Sequence, residues 1–150
     1  MTSGSYLAIH ERLVVRTRGK GTYEITDDVE RLVRGSGITM GTVTVFVRHT
    51  SASLVIYENA DPSARHDLHA WVEKIAPEND PSYTHTLEGK DDTTSHLRMA
   101  ITRTSEVIPI VAGKLTLGTW QGIFLFEHRQ APHTRSVDIV AMGVSSQSDS

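Results

Sequence analysis

The chain contains no cysteine. Disulfides, thiolate nucleophiles and cysteine-built zinc sites are therefore excluded, and the redox compartment is left open. Charge is nearly balanced, with a small acidic excess: a formal net charge of −3 gives no whole-chain attraction to nucleic acid or to an acidic membrane. Aromatic residues are few, and the scattered basic residues are not interleaved with them, which argues against a nucleic-acid partner. No apolar run is long enough to span a bilayer, and residues 1–5 lack a basic segment leading into an apolar core. A soluble cytoplasmic protein without a membrane partner is expected. Neither Gly-x-x-x-x-Gly-Lys nor Gly-x-Gly-x-x-Gly occurs, so no phosphate-cradling loop of those types is present. Ser51 and Ser53 lie near His49, but Gly-x-Ser-x-Gly is missing, which disfavours a serine hydrolase.

What is there suits one domain. A chain of 150 residues can bury a real core. We expect the domain to span 1–150, with flexible tails at 1–5 and 145–150. Residues 42–48 alternate, with Val43, Val45 and Val47 on one face, which is a strand period that points His49 inward at its end. Residues 54–57 read as a second strand. Asp61-Pro62 then starts a helix over 62–75, with Asp61 as N-cap, Pro62 at N1, and Ala64, Leu68, Trp71, Val72 and Ile75 as the apolar stripe. Residues 6–18 read as a strand with a bulge near Glu11. A shorter helix follows Thr26-Asp27-Asp28 and ends at Gly35 and Gly37. Residues 76–95 read as a long loop, and strands are expected at 97–102, 106–111, 114–117, 120–128 and 135–144. The predicted class is α+β: a β-sandwich of two mostly antiparallel sheets with two flanking helices.

Several constellations can carry chemistry. His49, His85 and His96 form a candidate metal triple, because three imidazoles leave an open position for water or substrate. Their occupancy would fall below about pH 6.5, where free histidine protonates. The alternative is three separately hydrogen-bonded rings. Asn59, Asp61, Arg65, His66 and Asp67 form a second group. Capping explains Asp61, while Arg65 at a helix N-terminus suits a phosphate. Asp91 and Asp92 precede His96, where hard oxygen ligands suit magnesium or water solvates an acidic turn. Residues 120–128 carry apolar side chains on both faces, so that strand is expected to be central. Glu127 and Arg135 read as an ion pair across a hairpin, or Arg135 recognises phosphate.

The run His49-Thr50-Ser51-Ala52-Ser53-Leu54, followed by Glu58-Asn59-x-Asp61-Pro62-x-x-Arg65-His66-Asp67, resembles the signature of the YjbQ-like family, often called the secondary thiamine-phosphate synthase family. The likeness continues in Tyr83-Thr84-His85, in Asp91 to His96, and in Gly113 to Gln121. Some members carry a cysteine where this chain has Ala60, so thiol chemistry is not required here. The resemblance implies two mixed sheets with helices outside, assembly as a homotrimer, and an enzyme joining hydroxymethylpyrimidine diphosphate to thiazole phosphate with release of pyrophosphate. With it go the expected catalytic residues His49, His85, His96 and Asp67, and the expected substrate-binding residues Ser51, Asn59, Arg65, Gln121 and Arg135. A divalent metal, zinc or magnesium, is expected on His49, His85 and His96. Two other readings stay open: a metal-dependent hydrolase of a small phosphorylated compound, and a non-catalytic trimeric binding protein for such a metabolite.

Overall fold

The structure is a computed structural model and describes residues 4–146. Strands β1 (Gly4–Arg16), β3 (Ile38–Val47), β5 (Ser105–Val111), β6 (Lys114–Leu115) and β8 (Thr134–Ser146) form a five-stranded sheet in the order β1-β8-β3-β5-β6. Strands β2 (Gly21–Glu24), β4 (Ala52–Glu58) and β7 (Gln121–Glu127) form a three-stranded sheet in the order β2-β7-β4. Every pairing is antiparallel, so the sheets are not mixed. The helices are α1 (Thr26–Ser36), α2 (Pro62–Ile75) and α3 (Asp92–Ile101), one more than expected.

The alternation in β3 does what its period dictates: Val43, Val45 and Val47 are buried between the sheets with Ile108, Ile110, Val137, Ile139 and Ala141. The small sheet answers with Ala52, Leu54, Ile123 and Leu125, and α1 closes one edge with Val29 and Val33. Each of these valines, leucines and isoleucines contributes about 1.5–3 kcal/mol on leaving water. β7 is the central strand of its sheet and is buried on both faces, as its two-sided apolar sequence requires. Its second face, with Phe124, Phe126 and the following His128, turns toward α2: the Arg65 guanidinium lies 5.3 Å from the Phe124 ring, and His69 meets Phe126 edge-on at 4.9 Å.

Helix α2 has the expected bounds and cap, with the Asp61 carboxylate accepting from the Ser63 backbone N–H at 2.9 Å. Its buried anchor is Val72, however. Leu68 is half-buried, and Trp71 and Ile75 are exposed, because the inward face also carries Arg65 and His69. The strand expected at 97–102 is helical. Its alternation of Leu97, Met99 and Ile101 is outweighed by a polar inward face on α3, where Asp92, Thr94, Ser95 and Arg98 are buried. No bulge interrupts β1, whose register with β8 is continuous. The irregularity lies instead in β3 between Ile38 and Met40, near the close approach of Gly41 and Gly143, where a Cβ on Gly41 would sit 1.9 Å from the Met142 carbonyl oxygen. The short β2 was not anticipated. Gly4 and Ser5 belong to β1, and Ser145 and Ser146 to β8; the remaining tail positions, 1–3 and 147–150, lie outside the described residues. No helix among the described residues is long and apolar enough to cross a membrane.

Candidate metal centre

Asp92 and His96 are four residues apart in α3 and share one face, and the loop between α2 and α3 brings His85 onto it. The loop is tied down locally. The Tyr83 hydroxyl donates to the Pro77 carbonyl at 2.9 Å, the Thr94 hydroxyl donates to the same oxygen at 3.0 Å, and the Thr93 hydroxyl donates to the His85 carbonyl. One carboxylate oxygen, Asp92 Oδ2, lies 2.9 Å from His85 Nε2 and 3.0 Å from His96 Nε2. The three ligand atoms lie within 4.8 Å of one another.

The other ring nitrogen of His96 decides what this means. His96 Nδ1 lies 2.5 Å from the Thr50 carbonyl oxygen, which can only accept, so Nδ1 carries the proton. In neutral His96 the Nε2 atom then presents a lone pair to a carboxylate oxygen. Two acceptors at this distance need a cation between them: a second proton on the ring, or a metal ion. Ligating histidines characteristically donate their remote N–H to a carbonyl, as His96 does. Ligands about 2.0–2.1 Å from a tetrahedral zinc lie about 3.3 Å from each other, so a small outward relaxation admits one. A donor set of two imidazoles and a carboxylate fits a divalent metal and leaves an open position.

Arg129 completes the surroundings. Its Nη1 donates to Asp92 Oδ1 at 2.5 Å, its Nε stands 3.2 Å from Asp91 Oδ1, and its Nη2 donates to the Glu88 carbonyl at 3.2 Å. Burial acts to raise the Asp92 carboxyl, but the His85 hydrogen bond, the His96 and Arg129 charges and the His96 hydrogen bond outweigh it, and the group is held below the usual carboxylate range. Beside His85 the loop borders an open cavity of about 420 Å³ lined by Asn79, Asp80, Pro81, Tyr83, His85, Thr86, Gly89, Lys90 and Thr93.

Other expected site residues separate from this group. Among the described residues His49 is not a member of it: its Nε2 accepts from the Ser136 backbone N–H at 2.8 Å, and burial, with Arg135 nearby, lowers its pKa. Asp92 stands where His49 was expected. Arg135 is buried and donates through Nε to Glu127 Oε2 at 2.6 Å, through Nη2 to Glu127 Oε1, and to the Ser51 hydroxyl at 2.9 Å. The pair joins two sheets and is not a hairpin contact, since β7 and β8 lie in different sheets. Ser53 lies 2.8 Å from His128 Nε2, but this serine–histidine pair is sealed from solvent and cannot meet a substrate.

Asn59, Arg65 and Gln121 lie at the other end of the small sheet. β4 runs from Ala52, opposite Glu127, to Glu58, opposite Gln121, roughly 20 Å at about 3.3 Å per residue. There Glu58 accepts the backbone N–H groups of Ala60 and Asp61 at 3.1 and 2.9 Å, Gln121 Oε1 accepts from Gly118 at 2.8 Å, and Arg65 donates to the Glu58 carbonyl at 3.3 Å. Asp67 is on the solvent side of α2, 3.6 Å from His66. Arg129 was missed by sequence reasoning, because a lone arginine after a strand has no spacing signal. Asp92 is expected from the sequence only together with Asp91, as a magnesium ligand or part of a solvated acidic turn, and not as a partner of the two histidines.

A family profile described as "UPF0047 protein YjbQ-like" matches residues 11–144. A UPF0047 protein of Synechocystis sp. is 50% identical over 133 residues, covering 89% of this chain and 90% of that protein. The UPF0047 protein YjbQ of Escherichia coli O157:H7 is 37% identical over 118 residues, covering 78% of this chain and 85% of its own. Among solved structures, a YbjQ-like protein of unknown function from Sulfolobus solfataricus superposes with a TM-score of 0.86 at 28% identity, covering 93% of this chain and 99% of that one.

Proposed function

We propose that this chain, which belongs to the YjbQ-like UPF0047 family, is an enzyme that processes a small phosphorylated metabolite at a divalent cation held by His85, Asp92 and His96. The observation that carries the reading is the Asp92 oxygen faced by two imidazole nitrogens, one of which, His96 Nε2, is an acceptor in the neutral ring because Nδ1 of the same ring donates to the Thr50 carbonyl. A divalent ion bound there would supply positive charge for a departing phosphate or pyrophosphate. The residues of the chain do the rest. The Thr50 carbonyl orients His96, and Arg129 fixes the Asp92 carboxylate by occupying its other oxygen. The loop around His85 supplies the cavity that positions the substrate.

The specific reaction implied by the resemblance forms a carbon–nitrogen bond between hydroxymethylpyrimidine diphosphate and thiazole phosphate, while the carbon–oxygen bond breaks and its electron pair leaves with pyrophosphate. In the alternative hydrolase, water activated at the same site would form a bond to phosphorus while the ester phosphorus–oxygen bond breaks, its proton passing to the leaving oxygen. Assembly as a homotrimer belongs to this proposal too. It is supported by the outer face of the large sheet, where Met40, Phe46, Val107, Met142 and Val144 are exposed and apolar.

The test is a pyrophosphate-release assay on purified protein supplied in turn with zinc, manganese or magnesium. Release that requires both thiamine precursors supports the synthase reading. Release from the diphosphate alone, or phosphate release from other esters, supports the hydrolase. No turnover of any phosphorylated compound with any of the metals would overturn the enzymatic reading.

A further inference from the structure

We infer that the cavity beside His85 is the substrate pocket and that Lys90 is the residue that pairs with the substrate's phosphate; this rests on the metal reading above. Most cations near the metal group are already committed. Arg129 is spent on Asp91, Asp92 and the Glu88 carbonyl, Arg135 on Glu127 and Ser51, and Lys20 on Glu73 and Glu78. Lys90 is the one lysine or arginine that lines the cavity, and among the described residues it makes no ion pair or hydrogen bond.

The cavity's other groups sort in the same way. The hydroxyls of Tyr83 and Thr93 are used on backbone carbonyls, and Asp80 accepts both the N–H and the hydroxyl of Ser82. The Asn79 amide and the Thr86 hydroxyl have no protein partner among the described residues. Asn79 is held in the left-handed region at φ 59°, and backbone there is costly unless the surroundings fix it. The free groups are thus one ammonium, one amide, one hydroxyl, the second ring nitrogen of His85 and the second oxygen of Asp80. They match a ligand with a phosphate at one end and a hydrogen-bonding body at the other. A cavity of about 420 Å³ falls within the roughly 300–1,000 Å³ that small-molecule sites span. His85 forms the wall shared with the metal group, so a phosphate held by Lys90 borders the site of chemistry. The two neighbouring positions do different jobs: Asp91 and Asp92 hold Arg129 and the metal group, and Lys90 faces the ligand.

The experiment titrates inorganic phosphate into zinc-loaded protein by phosphorus NMR, with bound zinc measured on the same samples. Wild type, Lys90→Ala, Lys90→Arg and His96→Ala are compared, with circular dichroism as the folding control. The expected result is that Lys90→Ala keeps its zinc but binds phosphate at least tenfold more weakly, and that Lys90→Arg recovers most of the affinity. Lys90→Ala binding phosphate as tightly as wild type, or zinc-loaded wild type binding none, overturns the inference and leaves the metal reading standing. A wild type that holds no zinc, manganese or magnesium removes the metal reading; phosphate binding still lost in Lys90→Ala then upholds the pocket by itself.

Discussion

The two ends of the three-stranded sheet handle their polar groups in opposite ways. At the Glu58–Gln121 end, each carboxylate and amide has a backbone donor or acceptor of its own, and the result is a well-made turn leading into a capped helix. At the Ala52–Glu127 end, one carboxylate oxygen is faced by two imidazoles, and a lysine beside a cavity has no counter-charge among the described residues. Polar groups matched within the fold account for structure. The groups not matched within the fold are the ones to which the proposed cation and phosphate are assigned. The family-like motif residues fall at both ends, so the motif alone does not separate the two roles.

The comparison is sharpest at buried charge. Arg135 and Glu127 are almost fully enclosed, and removing the arginine leaves a buried carboxylate without its partner. Arg135→Ala is expected to cost about 3–5 kcal/mol in chemical denaturation. Arg65→Ala, at the other end, loses one bond to a carbonyl and a contact with Phe124, and its cost should be clearly smaller. Equal costs would break the distinction.

Acid separates the ends next. Burial first, then the charges of Arg98, His69, Arg135 and Lys20, pushes the His128 imidazole down to about 3. In the unfolded chain it takes up a proton near 6.5. Between those values unfolding binds a proton that the folded protein refuses. Stability is therefore full above about pH 6.5 and is lost as pH falls toward 3, by about 1.4 kcal/mol per pH unit from this group at most. Denaturation midpoints at pH 7.5, 5.5 and 4.5 should fall in that order, and His128→Asn should flatten the trend. A midpoint independent of pH would remove His128 from the account.

The smallest expected effect is at the far end. Asp61→Ala deletes the cap of α2 and should lower the melting temperature slightly while leaving metal content and phosphate affinity unchanged. A loss of bound metal in this variant would join two ends that the structure keeps apart.

Much of the fold is legible in the sequence because its elements follow single-period rules. The valines of β3, the two-sided apolar run of β7 and the Asp61-Pro62 start of α2 all hold in the structure. Helix α3 was hidden because its buried face is polar: Thr94, Ser95 and Arg98 are stabilised by hydrogen bonds to the Pro77, His128 and Ala76 carbonyls, which no hydrophobic period reports. That error carried into the site. With 92–101 read as loop and strand, Asp92 and His96 are not placed on one face, and the expected triple takes His49 from the inward parity of the β3 valines. Of that triple, His85 and His96 meet through a carboxylate, and His49 is taken up by the backbone of β8.

The central claim is that the Asp92 oxygen and its two imidazoles hold a divalent cation. The most direct measurement is the metal content of purified protein after dialysis against zinc and then against metal-free buffer at pH 7.5, for wild type, His85→Ala, Asp92→Asn and His96→Ala. The account predicts one zinc per chain in the wild type and little or none in the three variants, with all four folded by circular dichroism. A folded wild type with no bound metal, or variants that keep it, would contradict the claim and leave a proton as the cation that Asp92 and His96 share.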